Sequence, residues 1–195
     1  MRTLCLVLIT VFAATGCGKY LAPLPPEALA PRAVEGLEVT TTHEQVALIW
    51  VAPEEDRRGR ELKSIDGYVI QRKEIVERGD ETDPSIEYVE LGFVQDLHVK
   101  IREDLRKEAR AQGKIGRTIQ APDGLTSFSF LDSTAKNGKT YLYQVLPQNQ
   151  GSVDGVIKQV AKVVFKGAES DVIILAVGDV ESDDEPEDNG AVGRQ

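Results

Sequence analysis

The chain has 195 residues, with 23 Lys+Arg against 32 Asp+Glu and a formal net charge of −9 when histidine is neutral. This acidic balance removes the electrostatic footprint for binding nucleic acid or an anionic lipid surface, so no nucleic-acid partner is expected. Two histidines far apart in the chain, His43 and His98, with neither cysteine left free once the N-terminal segment is read as a leader ending at an acylated Cys17, cannot supply a usual zinc ligand set, so neither metal nor cofactor is expected.

In chain order, residues 1–17 read MRTLCLVLITVFAATGC. A basic start at Arg2 precedes an apolar run from Leu4 to Ala14, and small residues lead into Cys17, the layout of a cleaved secretory signal. A membrane-spanning helix needs about 20 apolar residues, so this shorter run is read as a signal peptide over residues 1–16. Its ending, Ala14-Thr15-Gly16-Cys17, resembles the lipobox of bacterial lipoproteins, with Ala14 standing where that family favours leucine. The resemblance implies cleavage before Cys17 and a lipid on its sulfur, hence a membrane partner held through this residue. Cys5 leaves with the leader, so the mature chain has no intramolecular disulfide and its stability must come from its core.

Residues 17–30 are proline-rich, with Pro23, Pro25 and Pro26, and are expected to form a semi-rigid extended linker. From Leu37 the pattern changes to alternation, the period of a half-buried strand. Leu37 and Val39 mark a first strand; Val46, Leu48 and Trp50 share one face of a second, closed by Pro53. A charged loop follows, then a strand over residues 65–73 in which Tyr68 and Ile70 face one way. An acidic turn-rich loop over residues 77–85 precedes another strand at 86–94.

Residues 97–112 break this pattern. Leu97, Ile101, Leu105 and Ala109 recur every four residues, Asp96 can cap the start and Gly113 can close the end, so the segment is expected to be an amphipathic helix on the sandwich surface or an edge, there to cover an exposed strand edge or to dock onto a partner. Residues 115–120 read as a weak strand. Ala121-Pro122-Asp123-Gly124 carries turn chemistry, and strands are expected at 125–131, 140–148 and 156–165, the second with Tyr141, Tyr143 and Val145 in alternation. Residues 172–177 form an apolar, strand-capable segment, and 178–195 should be a disordered acidic tail.

Several pieces together resemble a fibronectin type III domain. These are the proline-led first strand, the run Val46-Ala47-Leu48-Ile49-Trp50 closed by Pro53, and Ile65-Asp66-Gly67-Tyr68-Val69-Ile70. The later half adds Asp132, the run Gly138-Lys139-Thr140-Tyr141-Leu142-Tyr143-Gln144-Val145, and Asn149 with Gly151. The resemblance implies an all-β, disulfide-free, immunoglobulin-like antiparallel sandwich of about seven strands, with Trp50 in the core and Tyr141 as the corner tyrosine whose hydroxyl bonds nearby backbone. The expected organisation is a sandwich over 31–167 with an insertion at about 97–120, a possible extra edge strand at 168–177, and the tail. Trp50, Tyr68, Tyr141 and Tyr143 are the expected structural core.

Chemistry-bearing constellations are sparse. His43 and His98 lie in different elements and no free thiol survives, which leaves catalysis little to stand on and favours a non-enzyme. The acidic residues 179–188 lack the spacing of a calcium loop. Arg78-Gly79-Asp80 resembles the integrin-binding tripeptide of some fibronectin-type domains. It falls after the third strand instead of before the last, and chance together with the demand of a turn for glycine flanked by charge accounts for it better than adhesion does. The sequence thus points to a non-catalytic, lipid-anchored envelope module with a protein or polysaccharide partner. The rivals are an accessory hydrolase or sugar-processing protein with its site near the insertion, and a passive spacer. Gly18 lacks the acidic character that resembles an inner-membrane retention signal, which leans the address to the outer membrane.

Overall fold

A computed structural model of the chain describes residues 24–78, 81–82 and 87–177. The expected signal peptide, Cys17, Gly79, Asp80 and the acidic tail lie outside them. Alternation builds two antiparallel sheets. The smaller consists of β1 (Glu35–Thr41), β2 (Val46–Val51) and β7 (Ser127–Asp132), in the order β1-β2-β7. The larger has the order β11-β10-β8-β3-β6, from β3 (Gly67–Ile75), β6 (Val89–Gln95), β8 (Lys139–Asn149), β10 (Gln159–Phe165) and β11 (Asp171–Ala176). A short β9 (Val153–Asp154) pairs with the end of β8, and β4 (Glu77–Arg78) and β5 (Glu81–Thr82) form a separate hairpin. Arg78 of the expected tripeptide therefore belongs to β4.

Seven of these strands, β1-β2-β7 facing β10-β8-β3-β6, make a fibronectin type III-like sandwich. Period-two side chains from each sheet meet between the layers: Leu37, Val46, Leu48 and Trp50 from one, and Tyr68, Ile70, Tyr141, Tyr143, Val145, Val163 and Phe165 from the other. Trp50 meets Tyr68 edge-on at 5.3 Å between centroids and stacks with Phe128 at 6.2 Å. Such aromatic pairs add roughly 0.5–1.5 kcal/mol beyond the area they bury. The Tyr141 hydroxyl accepts a hydrogen bond from the Lys136 amide at 3.1 Å, closing the corner before β8.

One buried ion pair ties the layers together. Asp132 ends β7, and its carboxylate accepts from Arg72 of β3 at 2.6 Å and from the Tyr143 hydroxyl of β8 at 2.8 Å. Thr134 adds donors from its amide and its hydroxyl. Arg72 also lies 4.7 Å from the centre of the Tyr141 ring. Burial alone would raise the Asp132 pKa, but these donors outweigh it and hold the carboxyl below its usual range.

β11 pairs antiparallel with β10 in register from Gln159↔Ala176 to Val164↔Asp171. β10 runs away from the sandwich pole where the chain enters β1, and β11 runs back towards it, so the Val177 amide ends on the carbonyl of Lys158. At the same pole residues 24–30, the described end of the segment expected as an extended linker, dock on the sandwich before β1 begins. A 3-10 turn covers Pro26–Leu29, Ala30 is fully buried, and Pro31 bridges to Asp56.

The helix, α1, spans His98–Ala111, but neither its location nor its buried face follows the apolar spacing. It lies on the β2–β3 connection, not on a strand edge: an Arg102 guanidinium nitrogen donates to the carbonyl of Leu62 and Arg106 pairs with Glu61. His98, Val99, Arg102 and Ala109 are its buried residues, while Leu97 is exposed. The polar groups decide the rotation because they find partners in the loop below, and unpaired burial would cost them more than an exposed leucine costs. Gly113, at φ +72°, ends the helix. Its amide reaches the Arg110 carbonyl and that of Lys114 reaches Ala109, the paired bonds of a Schellman motif.

Residues 115–120, expected as a weak strand, instead fold back on α1 through a 3-10 turn at Gly116–Thr118. Arg106 Nε donates to the Ile119 carbonyl. A Cβ at position 116 would lie 2.8 Å from the Arg106 carbonyl oxygen, so glycine is what lets the turn approach the helix.

Candidate functional site

Three connections meet at the pole where the chain enters: β2–β3, β6–β7 with α1, and β8–β10. Between the first two opens a cleft of about 380 Å³, within the range typical of ligand sites. Glu54, Glu55 and Glu61 of the β2–β3 connection form one wall. Arg102 and Arg106 of α1, with Arg117 beyond it, form the other, and His98 also lines the space.

The site is built from Asp96, which leaves β6 with its amide bonded to the Asp66 carbonyl. Its carboxylate is 1% exposed and accepts from three donors: the Tyr68 hydroxyl at 2.6 Å, the His98 amide at 2.8 Å and His98 Nδ1 at 2.8 Å. Asp96 therefore holds the first amide of α1, although Leu97 occupies the capping position and makes no side-chain cap. Burial and the neighbouring Asp96 charge both push the Tyr68 phenol pKa far up, so it remains a donor.

A carboxylate acceptor on Nδ1 fixes the ring's proton there and leaves Nε2, in the neutral ring, as a lone-pair acceptor. His98 is 3% exposed, and its Nε2 has no partner among the described residues. One helical turn on, Arg102 is 5% exposed; its Nε likewise lacks a hydrogen bond, standing 3.6 Å from Glu61 and 3.8 Å from Glu103. Two buried polar atoms of opposite character thus belong to residues lining the same cleft.

Glu61 connects the walls, lying 2.6 Å from Arg106 and 2.9 Å from Lys63. Burial opposes its ionisation, but the Lys63 and Arg106 hydrogen bonds and the Arg102 charge prevail and bring its pKa to about 2. It stays a carboxylate under all ordinary conditions.

Of the residues singled out from the sequence, Trp50, Tyr68, Tyr141 and Tyr143 are buried within the sandwich; Tyr68 also reaches the cleft's support through Asp96. His43 sits exposed in the β1–β2 turn at the opposite pole, so the two histidines do not come together. Among the described residues no group of three or more His, Cys, Asp or Glu could hold a metal ion, and no helix is long and apolar enough to cross a membrane. The cleft opens at the insertion, where the hydrolase reading of the sequence places its site, and it holds His98 beside carboxylates; the arginines of its wall were not singled out, although His98, Arg102 and Arg106 recur at four-residue spacing and must share a helix face.

No protein-family model matches the chain, and no curated protein matches its sequence. Solved structures resemble it weakly. The twitchin kinase region from C. elegans matches with TM-score 0.43 and 13% identity over 72% of this chain, which spans 17% of that one. The third fibronectin III domain of human KIAA0343 protein matches with TM-score 0.40 and 12% identity, covering 77% of this chain and 93% of that one. The fold itself is carried by the strand order: β1-β2-β7 against β10-β8-β3-β6 is a fibronectin type III-like sandwich, to which this chain adds β11 and α1.

Proposed function

We propose that the chain is a lipid-anchored cell-envelope lipoprotein of the outer membrane, and that its fibronectin type III-like sandwich is a non-catalytic module that binds an envelope protein or polysaccharide. The anchor rests on the lipobox-like ending at Cys17. The binding role rests on one observation above all, the polar cleft between α1 and the β2–β3 connection, lined by His98, Arg102 and Arg106 on one side and Glu54, Glu55 and Glu61 on the other. Replacing Cys17 with serine should release the protein from membranes and abolish fatty-acid labelling. Unchanged fractionation and labelling would sink the anchor. Crosslinking in intact envelopes with the tethered protein as bait should capture a specific partner, and recovery of the bait alone would favour a passive spacer.

The Asp96–His98 pair favours a second reading, an accessory hydrolase or sugar-processing protein in which His98 acts as a base oriented by Asp96. No hydroxyl or thiol partners Nε2 among the described residues, so no nucleophile–base pair is assembled, and binding is the better-supported function. Hydrolysis of envelope glycans by wild type but not by His98→Gln would reverse that ranking.

A further inference from the structure

We infer that the basic groove at the C-terminal end of α1 is a site for an acidic peptide, and that its occupant is the chain's own segment 179–188. The inference goes beyond the binding-module reading above and does not rest on it.

The groove is a second hollow, of about 560 Å³, that shares Glu61, Arg106 and Arg117 with the cleft. Its lining carries Lys63, Arg106, Arg110, Lys114 and Arg117 against two carboxylates, Glu61 and Glu103. Arg102, 3.6 Å from Glu61 and 3.8 Å from Glu103, adds a further cation. Both carboxylates are already matched, Glu61 also by Lys63 and Arg106, and Glu103 by Arg106. Lys114 and Arg117, by contrast, are exposed and make no ion pair or side-chain hydrogen bond among the described residues. Arg110 commits only its Nε, to the Arg106 carbonyl. The other charges of α1, Lys100 and Lys107 against Asp104 and Glu108, cancel, and Arg32 offsets Glu55 of the cleft. Counting the cleft's Glu54 and Asp123 as well leaves this end of an acidic molecule two charges positive. The helix dipole draws Arg110 and Lys114 to the end of α1, but Lys63 and Arg117 reach the groove from other segments. An anionic occupant accounts for all four.

The chain carries that occupant. Residues 179–188 hold seven carboxylates and no basic group, and they follow Val177, whose amide ends on the Lys158 carbonyl at the pole where cleft and groove open. Counted from Val177, the stretch from Asp183 to Asp188 reaches about 20–40 Å when extended. β11 lies four strand positions from β6, about 19 Å, and α1 adds about 21 Å along its 14 residues, so the acidic run spans the pole. Tethering gives it an effective concentration in the millimolar range, which any free anion must exceed. Seated there by charge, it borders the cleft through the shared Arg106 and Arg117.

The test is zero-length carbodiimide coupling of lysines to carboxylates in the full-length chain, read by peptide mass spectrometry. Links from 179–188 are expected to concentrate on Lys114 and Lys63 and to fall severalfold between about 50 mM and about 0.5 M salt, where exposed charges are screened. Arg117→Glu, at an exposed position without a side-chain partner among the described residues, should cut the Lys114 links about threefold or more while leaving the circular dichroism spectrum unchanged. Lys158 is the discriminating control, since a segment that merely trails from Val177 meets that lysine first. Links that favour Lys158 over Lys114, or that ignore both salt and Arg117→Glu, overturn the inference. So do links joining labelled to unlabelled chains in a mixed-isotope sample, which place the segment on a second copy. None of these results bears on capture of an envelope partner, so this inference and the binding-module reading fail independently.

Discussion

Replacing Asp132 with alanine should destabilise the sandwich more than any other exchange of a single polar side chain outside the cleft. The carboxylate is 3% exposed and joins the two sheets through Arg72 and Tyr143. Removing it strands a largely buried guanidinium, and breaking such a pair from one side costs about 3–5 kcal/mol. Arg72 retains the Thr134 hydroxyl at 2.9 Å and the face of Tyr141, which sets the expected loss at the lower end, about 3 kcal/mol. For a domain of this size that is a fall in melting temperature of roughly 6–12 °C. Tyr143→Phe deletes one bond and leaves Asp132 with its other donors, so it should cost only about 1 kcal/mol. Thermal unfolding followed by circular dichroism reads both. Acid supplies an independent check. The folded-state pKa of Asp132 lies below its unfolded value, so its stabilisation is complete above about pH 4 and is lost as pH falls through the lower folded value. The gap between wild type and Asp132→Ala must therefore narrow on acidification. The reasoning is refuted if Asp132→Ala costs no more than Tyr143→Phe, or if the gap is the same at neutral pH and well below pH 3.

Trp50→Ala opens a cavity beside Tyr68 and Phe128 and should cost about 3–5 kcal/mol; a loss below about 1 kcal/mol in denaturant unfolding would show that the site is not packed as described. Tyr141→Phe removes the acceptor for the Lys136 amide and should cost about 1 kcal/mol, with faster hydrogen exchange at that amide. Gly113→Ala meets no atom within 4 Å, so its expected penalty of about 1 kcal/mol comes from the positive φ alone and should appear as fraying at the end of α1. Gly116→Ala should instead shift α1 resonances, because its Cβ would meet the Arg106 carbonyl.

Period and burial explain which parts of this structure could be read in advance. Val46, Leu48 and Trp50, or Tyr141, Tyr143 and Val145, announce their strands because alternate side chains must leave water together. The helix announced its extent through Gly113 but not its orientation, because its buried face carries His98 and Arg102. Arg102 is buried by virtue of the Leu62 carbonyl, a partner from the β2–β3 connection, and Asp96, which holds His98 locally, is itself held by Tyr68 of β3. Tyr68 and Asp96 lie 28 residues apart, and no local pattern joins them. Residues 115–120 misled because isolated isoleucines suit a strand, whereas the close approach of Gly116 to α1 is a tertiary fact. The partnership of β11 with β10 was equally non-local, since an apolar hexapeptide after the last sandwich strand could have turned either way.

β11 alters how such a module can be strung together. Sandwiches joined end to end in a fibre receive the chain at one pole and release it at the other. Here the eighth long strand carries the chain back, and Leu24 and Val177 flank the same pole. β11 therefore brings the two ends of the described fold to one pole instead of leaving them at opposite poles. If Cys17 is lipidated as proposed, the seven residues to Leu24 reach at most about 25 Å. The cleft pole would then look down at the membrane it is moored to, and the pole bearing His43 would look away.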